Sequence, residues 1–205
     1  MASEVEICNM ALAHLGASPI VSLDENRISA QRCKLFYPNC RNLTLRDHRW
    51  TFAQRRRALA SMALPDEYIG KYSYAYALPS DCLKSHGVIE SPVLAIEPTT
   101  TVEQPFEIAR TATGEKIILA NIQSAVLSYT MRVVDPTWFD DEFAAAVALK
   151  LASVLAVPLI KNKALGIRLE NQYRISLLVG EASDANQQKP APDITIPWIA
   201  ARTEY

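Results

Sequence analysis

Residues 3–16 contain a complete set of helix signals, from cap to stop. Ser3 and Glu6 form an S-x-x-E capping box, in which each side chain satisfies a backbone N–H that the first turn leaves unpaired. Val5, Cys8, Leu12 and Leu15 follow at spacings of three and four, and Gly16 supplies a C-terminal stop. The pattern then repeats. Ser22 and Glu25 make a second box, which predicts the opening of a second helix with the stripe Ala30, Cys33, Phe36, Tyr37, Cys40 and Leu43. Pro38 lies within that stripe and predicts a kink or a split, because proline has no N–H to give the helix ladder. The short link makes the two helices antiparallel neighbours, and each must bury its apolar stripe against a further layer.

After Trp50 the period shortens. Segments 57–62, 72–78, 86–90, 105–110, 115–119 and 125–133 are short and β-prone, separated by turn residues at Pro65, Pro79, Pro92 and Pro98 and by a hairpin signal at Thr113-Gly114. They predict a small, mostly antiparallel sheet, with Tyr72, Tyr74 and Tyr76 on one face. Helix returns at Asp135-Pro136, an N-cap followed by a proline suited to the first turn. This alanine-rich helix is expected to stop at Pro158, and another runs from Asn162 to a stop at Gly180 on the stripe Leu165, Leu169, Tyr173 and Leu177. The expected class is α+β: a four-helix bundle from 1–55 and 134–181, a small β subdomain inserted over 56–133, and an extended C-terminal arm over 182–205. That arm begins as a polar, proline-containing linker and ends on Ile194, Ile196, Trp198 and Ile199, an apolar run suited to docking.

The chain of 205 residues has a formal net charge of −1, so the whole molecule has no electrostatic bias toward nucleic acid. The charge is unevenly placed, however. Between Arg27 and Arg57 nine Lys/Arg stand against the single acid Asp47, a local +8 in an otherwise acidic chain. Cys8, Cys33, Cys40 and Cys82 lack C-x-x-C spacing, and the first three sit on apolar helix positions, which suits buried thiols in a reducing compartment. Glu4 and Glu6 occupy the place of a positive leader region, so no secretory signal is expected. The apolar run 143–160 is broken by Lys150 and Pro158 and is weakly hydrophobic, which argues against a membrane span and for folding in a cytoplasm.

Recognisable catalytic motifs are missing from the sequence. His14, His48 and His86 are scattered, Cys82-x3-His86 has no second ligand pair nearby, and there is no P-loop, G-x-G-x-x-G or G-x-S-x-G. Asp140-Asp141-Glu142 complements the positive end of a helix dipole more simply than it builds a metal site. Neither a cofactor nor a metal is expected. The best functional candidate is the basic-aromatic run 46–57. Its Arg49, Arg55, Arg56 and Arg57 are candidates for lining a channel or a subunit interface, since guanidinium groups neutralise phosphates without reading bases. Trp50 and Phe52 are candidates for anchoring the junction between bundle and sheet.

Several runs together resemble one family. They are E-I-C-N-M-A-L-A-H-L-G-A at 6–17, S-L-D-E at 22–25, Y-P-x-C-R-x-x-x-L-R-x-H-x-W-x-F-A at 37–53, R-R-x-L-A at 56–60 and Y-A-Y-A-L-P-x-D-C-L at 74–83. In this order they resemble the tail tubular protein A family of short-tailed phages, the head-to-tail adaptor or gatekeeper proteins. Over residues 4–90 the resemblance is specific; beyond them it is architectural. At 48–50 the chain has His-Arg-Trp where the family pattern leads one to expect proline between His and Trp.

The resemblance implies a non-enzymatic virion protein: a homo-oligomeric ring, dodecameric in the family, beneath the portal protein. Double-stranded DNA would pass through its channel without sequence specificity. A tail nozzle or tube protein would bind below, tail fibres are possible partners at the rim, and no membrane is involved. Ile194, Ile196, Trp198 and Ile199 are then the portal-docking candidates. The alternative reading is a DNA-binding or DNA-processing protein that uses segment 46–57.

Overall fold

The computed structural model describes residues 3–90 and 103–187, with only the backbone over 182–187. Helix α1 (Glu4–His14) opens on the Ser3–Glu6 box, with both reciprocal bonds made. It closes on Gly16 at φ 66°, where Ala17 N–H bonds Leu12 C=O at 2.9 Å and Gly16 N–H bonds Ala13 C=O at 3.0 Å. That pair of bonds satisfies two of the last carbonyls and sends the chain off in a new direction. Asn9 then clips the following loop to the helix, bonding both the N–H (2.8 Å) and the C=O (2.9 Å) of Ile20.

The second box does not open a helix. Glu25 accepts the N–H groups of Val21 and Ser22, and Ser22 Oγ accepts from Asp24, so the box closes a turn on itself. Helix α2 (Ile28–Asp47) starts later, after an extended Arg27 that makes no side-chain cap. It runs through Pro38 without a break. Cys33, Tyr37, Cys40 and Thr44 are buried at helical spacing on both sides of the proline, whose ring faces solvent. Tertiary burial here outweighs one missing hydrogen bond.

The middle of the chain forms two antiparallel sheets where the sequence suggested one. Its strands are β1 (Gln54–Ala58), β2 (Ser61–Met62), β3 (Tyr74–Ala77), β4 (Cys82–Glu90), β5 (Phe106–Arg110), β6 (Lys116–Ala120) and β7 (Ala125–Met131). One sheet has the order β1-β7-β4 and the other β2-β3-β6-β5. Gly114, at φ 86°, turns the β5–β6 hairpin. Tyr74 and Tyr76 pack toward the main core, whereas Tyr72 packs with Ala75 and Leu119 on the opposite face and bonds Glu107 at 2.8 Å. It lies in the turn before β3, where strand alternation has not yet begun.

Asp135 does act as a cap, accepting from Thr137 N–H at 3.0 Å, but it caps a single 3-10 turn, Pro136–Trp138. Helix α3 (Asp141–Ile160) follows and passes Pro158; the stop comes at Lys161, in a left-handed conformation at φ 56°. Asn162 Oδ1 then accepts from Leu165 N–H at 3.0 Å to open α4 (Lys163–Gln187). By length and composition α3 is apolar enough to cross a membrane. Here it is the central helix, packed against α1, α2 and α4, and its alanines let those neighbours approach. Lys150, within α3, is satisfied by Glu170 of α4 at 2.8 Å and lies over the Tyr173 ring at 4.8 Å.

The fold is α+β. One contiguous core joins the inner faces of the helices to Val88, Leu127, Tyr129 and Met131 of the first sheet and to Tyr76, Ile118 and Ala120 of the second. Two expected boundaries move. Gly180 does not end α4, and 181–187 continue the helix into what reads as linker. Residues 188–205 lie outside the described residues, and so does most of the proposed arm.

Gly180 is a point of close approach. A Cβ there would lie 3.1 Å from Cη2 and 3.2 Å from Cζ3 of Trp50. Gly180→Leu should therefore destabilise the protein by about 1–3 kcal/mol through overpacking. Gly180→Ala should be milder, since the gain in helix propensity of about 1 kcal/mol offsets the crowding. Denaturant unfolding of the two variants tests this; equal midpoints would show that the contact carries no constraint.

Candidate functional site

The corner where α2 gives way to β1 carries the basic-aromatic run. Chain direction changes at His48, which is extended, and a 3-10 turn at Thr51–Ala53 leads into β1. Trp50 fills the corner and is only 1% exposed. Its indole N–H donates to Thr44 C=O at 2.9 Å, so the one polar atom of a large apolar group is satisfied in the interior. The ring meets Phe143 edge-on at 5.1 Å and His48 at 4.8 Å. Phe52 packs on Phe139 and Phe143 from the solvent side. Asp47 accepts a 2.7 Å bond from the Tyr173 hydroxyl, which ties the end of α2 to α4.

The pleat of β1 divides the three arginines that follow. Gln54 and Arg56 stand opposite Thr130 and Ser128 of β7, while Arg55 and Arg57 stand opposite Tyr129 and Leu127. Because side chains alternate across a strand, Arg56 faces one side of the sheet and Arg55 and Arg57 the other. All three are exposed, and β1 is an edge strand. Charged edges discourage pairing with another chain, and this accounts for part of the run without invoking a ligand. On the side of Arg55 and Arg57, Tyr129 OH lies 3.2 Å from both carboxylate oxygens of Asp81. Burial and the Asp81 carboxylate raise that phenol's pKa, and the Arg55 charge and a hydrogen bond from Arg57 oppose the rise.

On the opposite, polar face the cations converge. Lys84 pairs in register with Thr130 and donates to the Arg46 carbonyl at 2.9 Å, placing a positive charge at the C-terminal end of the α2 dipole. His86 sits at the β4 bulge with Nε2 2.7 Å from Thr130 Oγ1. Gln54 donates to the same hydroxyl oxygen at 3.3 Å, so Thr130 links the two side chains, and the tautomer of the imidazole sets the direction of the His86 bond. Burial, followed by the Arg49 and Lys84 charges, holds the His86 pKa down at about 4. Arg49, Arg56 and Lys84 thus make this side positively charged, bordered by Gln54 and Ser128, with the half-buried, neutral His86 and the fully buried Thr130 between them. Glu103, whose carboxylate carbon lies 2.8 Å from where a Gly87 Cβ would stand, is placed beside it.

Of the residues singled out by sequence, the fold brings Trp50 and Phe52 into the helix–sheet corner, Arg49 and Arg56 toward one face, and Arg55 and Arg57 toward the other. Ile194, Ile196, Trp198 and Ile199 lie outside the described residues. Lys84 and Thr130 carry no signal of their own in the sequence, and His86 reads there only as a scattered histidine without metal-ligand partners, although the spacing of Lys84 and His86 two apart on a strand is a legible signal for a shared face. Asp140 occupies the N-cap position of α3, with Asp141 and Glu142 in its first turn. Among the described residues no group of three or more His, Cys, Asp or Glu side chains is placed to hold a metal. Cys8, Cys33 and Cys40 are buried free thiols, and burial pushes Cys40 up to about 11. An open cleft of about 410 Å³ beside β3 and β4 brings Lys116 and Arg132 near Glu115 and Cys82, away from the basic face. Compared with known proteins, the chain matches no family model and no curated relative.

His86 makes the basic face pH-sensitive in a definite direction. Its folded pKa lies below the ordinary 6.5, so between about 6.5 and about 4 the unfolded chain binds a proton that the folded chain refuses. The neutral-His contribution is present above 6.5 and is lost as pH falls through about 4. His86→Gln should flatten that part of the stability–pH profile. An NMR titration placing the His86 midpoint at its ordinary value would contradict the geometry.

Proposed function

We propose that this chain is a structural virion protein, a head-to-tail adaptor that forms a ring joining the portal protein to the tail and frames the DNA exit path. The resemblance over residues 4–90 motivates the reading, and one observation carries it on the structural side: the exposed cations Arg56 and Lys84 on one face of the first sheet, with Arg49 beside them. Such a face attracts phosphate backbone without base readout, which suits DNA that passes and is not selected. It suits equally an acidic surface on a neighbouring subunit, and a ring requires two different faces of the protomer to meet. The subunit number of twelve, the nozzle below and fibres at the rim follow from the resemblance alone.

The resemblance motif falls mostly on framework positions. Tyr37 and Cys40 are in the core of α2, Trp50 is in the corner, and Tyr76 donates to the Ile122 carbonyl. This fits a family pattern that preserves a shape for assembly. The second reading, a DNA-binding protein, is favoured by the same basic face and makes a different forecast: the isolated monomer binds duplex with strong salt dependence.

The test is to image the protein mixed with the portal protein of the virion to which this reading assigns it. A ring at the portal's narrow end is expected, and Arg49→Glu with Arg56→Glu should reduce ring assembly or DNA retention. A protein that ignores portal but binds duplex alone would overturn the adaptor reading in favour of the second.

A further inference from the structure

The second sheet, β2-β3-β6-β5, ends on two edges, and every strand in it is antiparallel to its neighbour. Hydrogen bonding alternates along such a ladder, so every other residue of an edge strand turns its peptide groups outward. Thr111 N–H bonds Glu115 C=O at 2.9 Å, which sets the phase of the β5–β6 ladder. Glu107 and Ala109 therefore bond β6, while Phe106, Ile108 and Arg110 direct their N–H and C=O groups away from the sheet. At the other edge Ala77 N–H bonds Ala60 C=O at 3.0 Å, which leaves Ser61 as the outward residue of β2 and Ala63 as the next along that edge. Among the described residues neither edge has a neighbouring strand.

The edges of the first sheet are defended. Strand β1 carries three exposed arginines, and Gln104 N–H closes on Val88 C=O of β4 at 2.8 Å. The edges of the second sheet have no such guard. Segment 58–64 holds no charged residue. At the centre of β5, Ile108 is 48% exposed, at the end of a row whose inner members, Ile118 and Tyr76, are buried. Glu107 is already paired, with Lys71 at 2.7 Å and the Tyr72 hydroxyl at 2.8 Å.

We infer that these two edges join one copy of the chain to the next, with β5 of one protomer taking β2 of its neighbour, so that the sheet continues from subunit to subunit. Strand direction favours the match. Four antiparallel strands leave the two edges running opposite ways, so a neighbour in the same orientation presents its β2 antiparallel to β5. With Ile108 opposite Ser61 of the partner subunit, Phe106 falls opposite Ala63 of the partner subunit, and the two pairs exchange about four backbone hydrogen bonds. Small residues then meet the bulky ones, and no like charges stand opposite each other. The choice of β2 as the occupant, over a second β5 across a two-fold axis, rests on the adaptor reading, because a ring joins two different surfaces.

Cross-strand partners lie within reach of a disulfide, so paired cysteines read the contact directly. The background is Cys82→Ser, which removes the one free thiol that is not fully buried. Oxidised with copper–phenanthroline, Ser61→Cys with Ile108→Cys should run on a non-reducing gel as a ladder extending beyond the dimer, and neither single variant should pass the monomer. Absence of the ladder would overturn the inference. So would dimers from Ile108→Cys alone, which would give the edge to a two-fold contact. Ile108→Pro removes an outward N–H and no bond to β6, so the monomer should keep its circular dichroism while losing self-association. A portal-bound ring that survives Ile108→Pro would sink this contact and leave the adaptor reading standing; a ladder from a protein that ignores portal would do the reverse.

Discussion

Closure of the helices over the sheets depends on Trp50. Its indole N–H is held by the Thr44 carbonyl inside α2, its ring makes a T-shaped contact with Phe143 of α3, and its six-membered edge rests where Gly180 of α4 has no side chain. Three helices are thereby indexed against a single residue at the point where the chain leaves α2 for β1. A second tie, Tyr173 to Asp47, repeats the α2–α4 connection nearby. Burying an indole with its N–H satisfied is among the larger single contributions a core residue makes, and truncating such a group typically costs about 3–5 kcal/mol.

That corner also sorts the arginines. Trp50 turns inward, and the strand that begins at Gln54 puts Arg56 on the polar face with Lys84 and His86 and sends Arg55 and Arg57 to the other side, near Asp81 and Tyr129. What reads as one basic run is, in the fold, one buried anchor and two differently placed groups of cations. A function built on electrostatics therefore rests mainly on Arg49, Arg56 and Lys84, with His86 held neutral by its surroundings.

Much of the fold was legible because local signals were unambiguous. The Ser3–Glu6 box, the Gly16 stop and the β5–β6 hairpin at Gly114 are backbone requirements that a few residues meet on their own. Readings failed where a residue served a distant neighbour. Gly180 looked like a stop because glycine ends helices, yet it is there to admit Trp50, 130 positions away in the chain. Pro38 and Pro158 looked like breaks, but burial on both sides of the first, and a left-handed Lys161 just beyond the second, decide where those helices end. Lys150 looked like an interruption and finds Glu170 across the helix pair. The Ser22–Glu25 box had the right residues and spent its carboxylate on a turn. The candidate site was half legible: the arginines were visible as a run, but the face that joins Arg56 to Lys84 and His86 depends on strand pairing between segments far apart in sequence.

Trp50 belongs to the framework and Arg49 and Arg56 to the exposed surface, a division of roles within one short run. Equilibrium unfolding of the Arg49→Glu, Arg56→Glu double variant tests it most directly. Exposed charges away from packing and caps should change stability by no more than about 0.5 kcal/mol, so its denaturant midpoint should overlay that of the unaltered protein. A loss of several kcal/mol would mean that these arginines hold the corner together, and the division between framework and binding surface would fail.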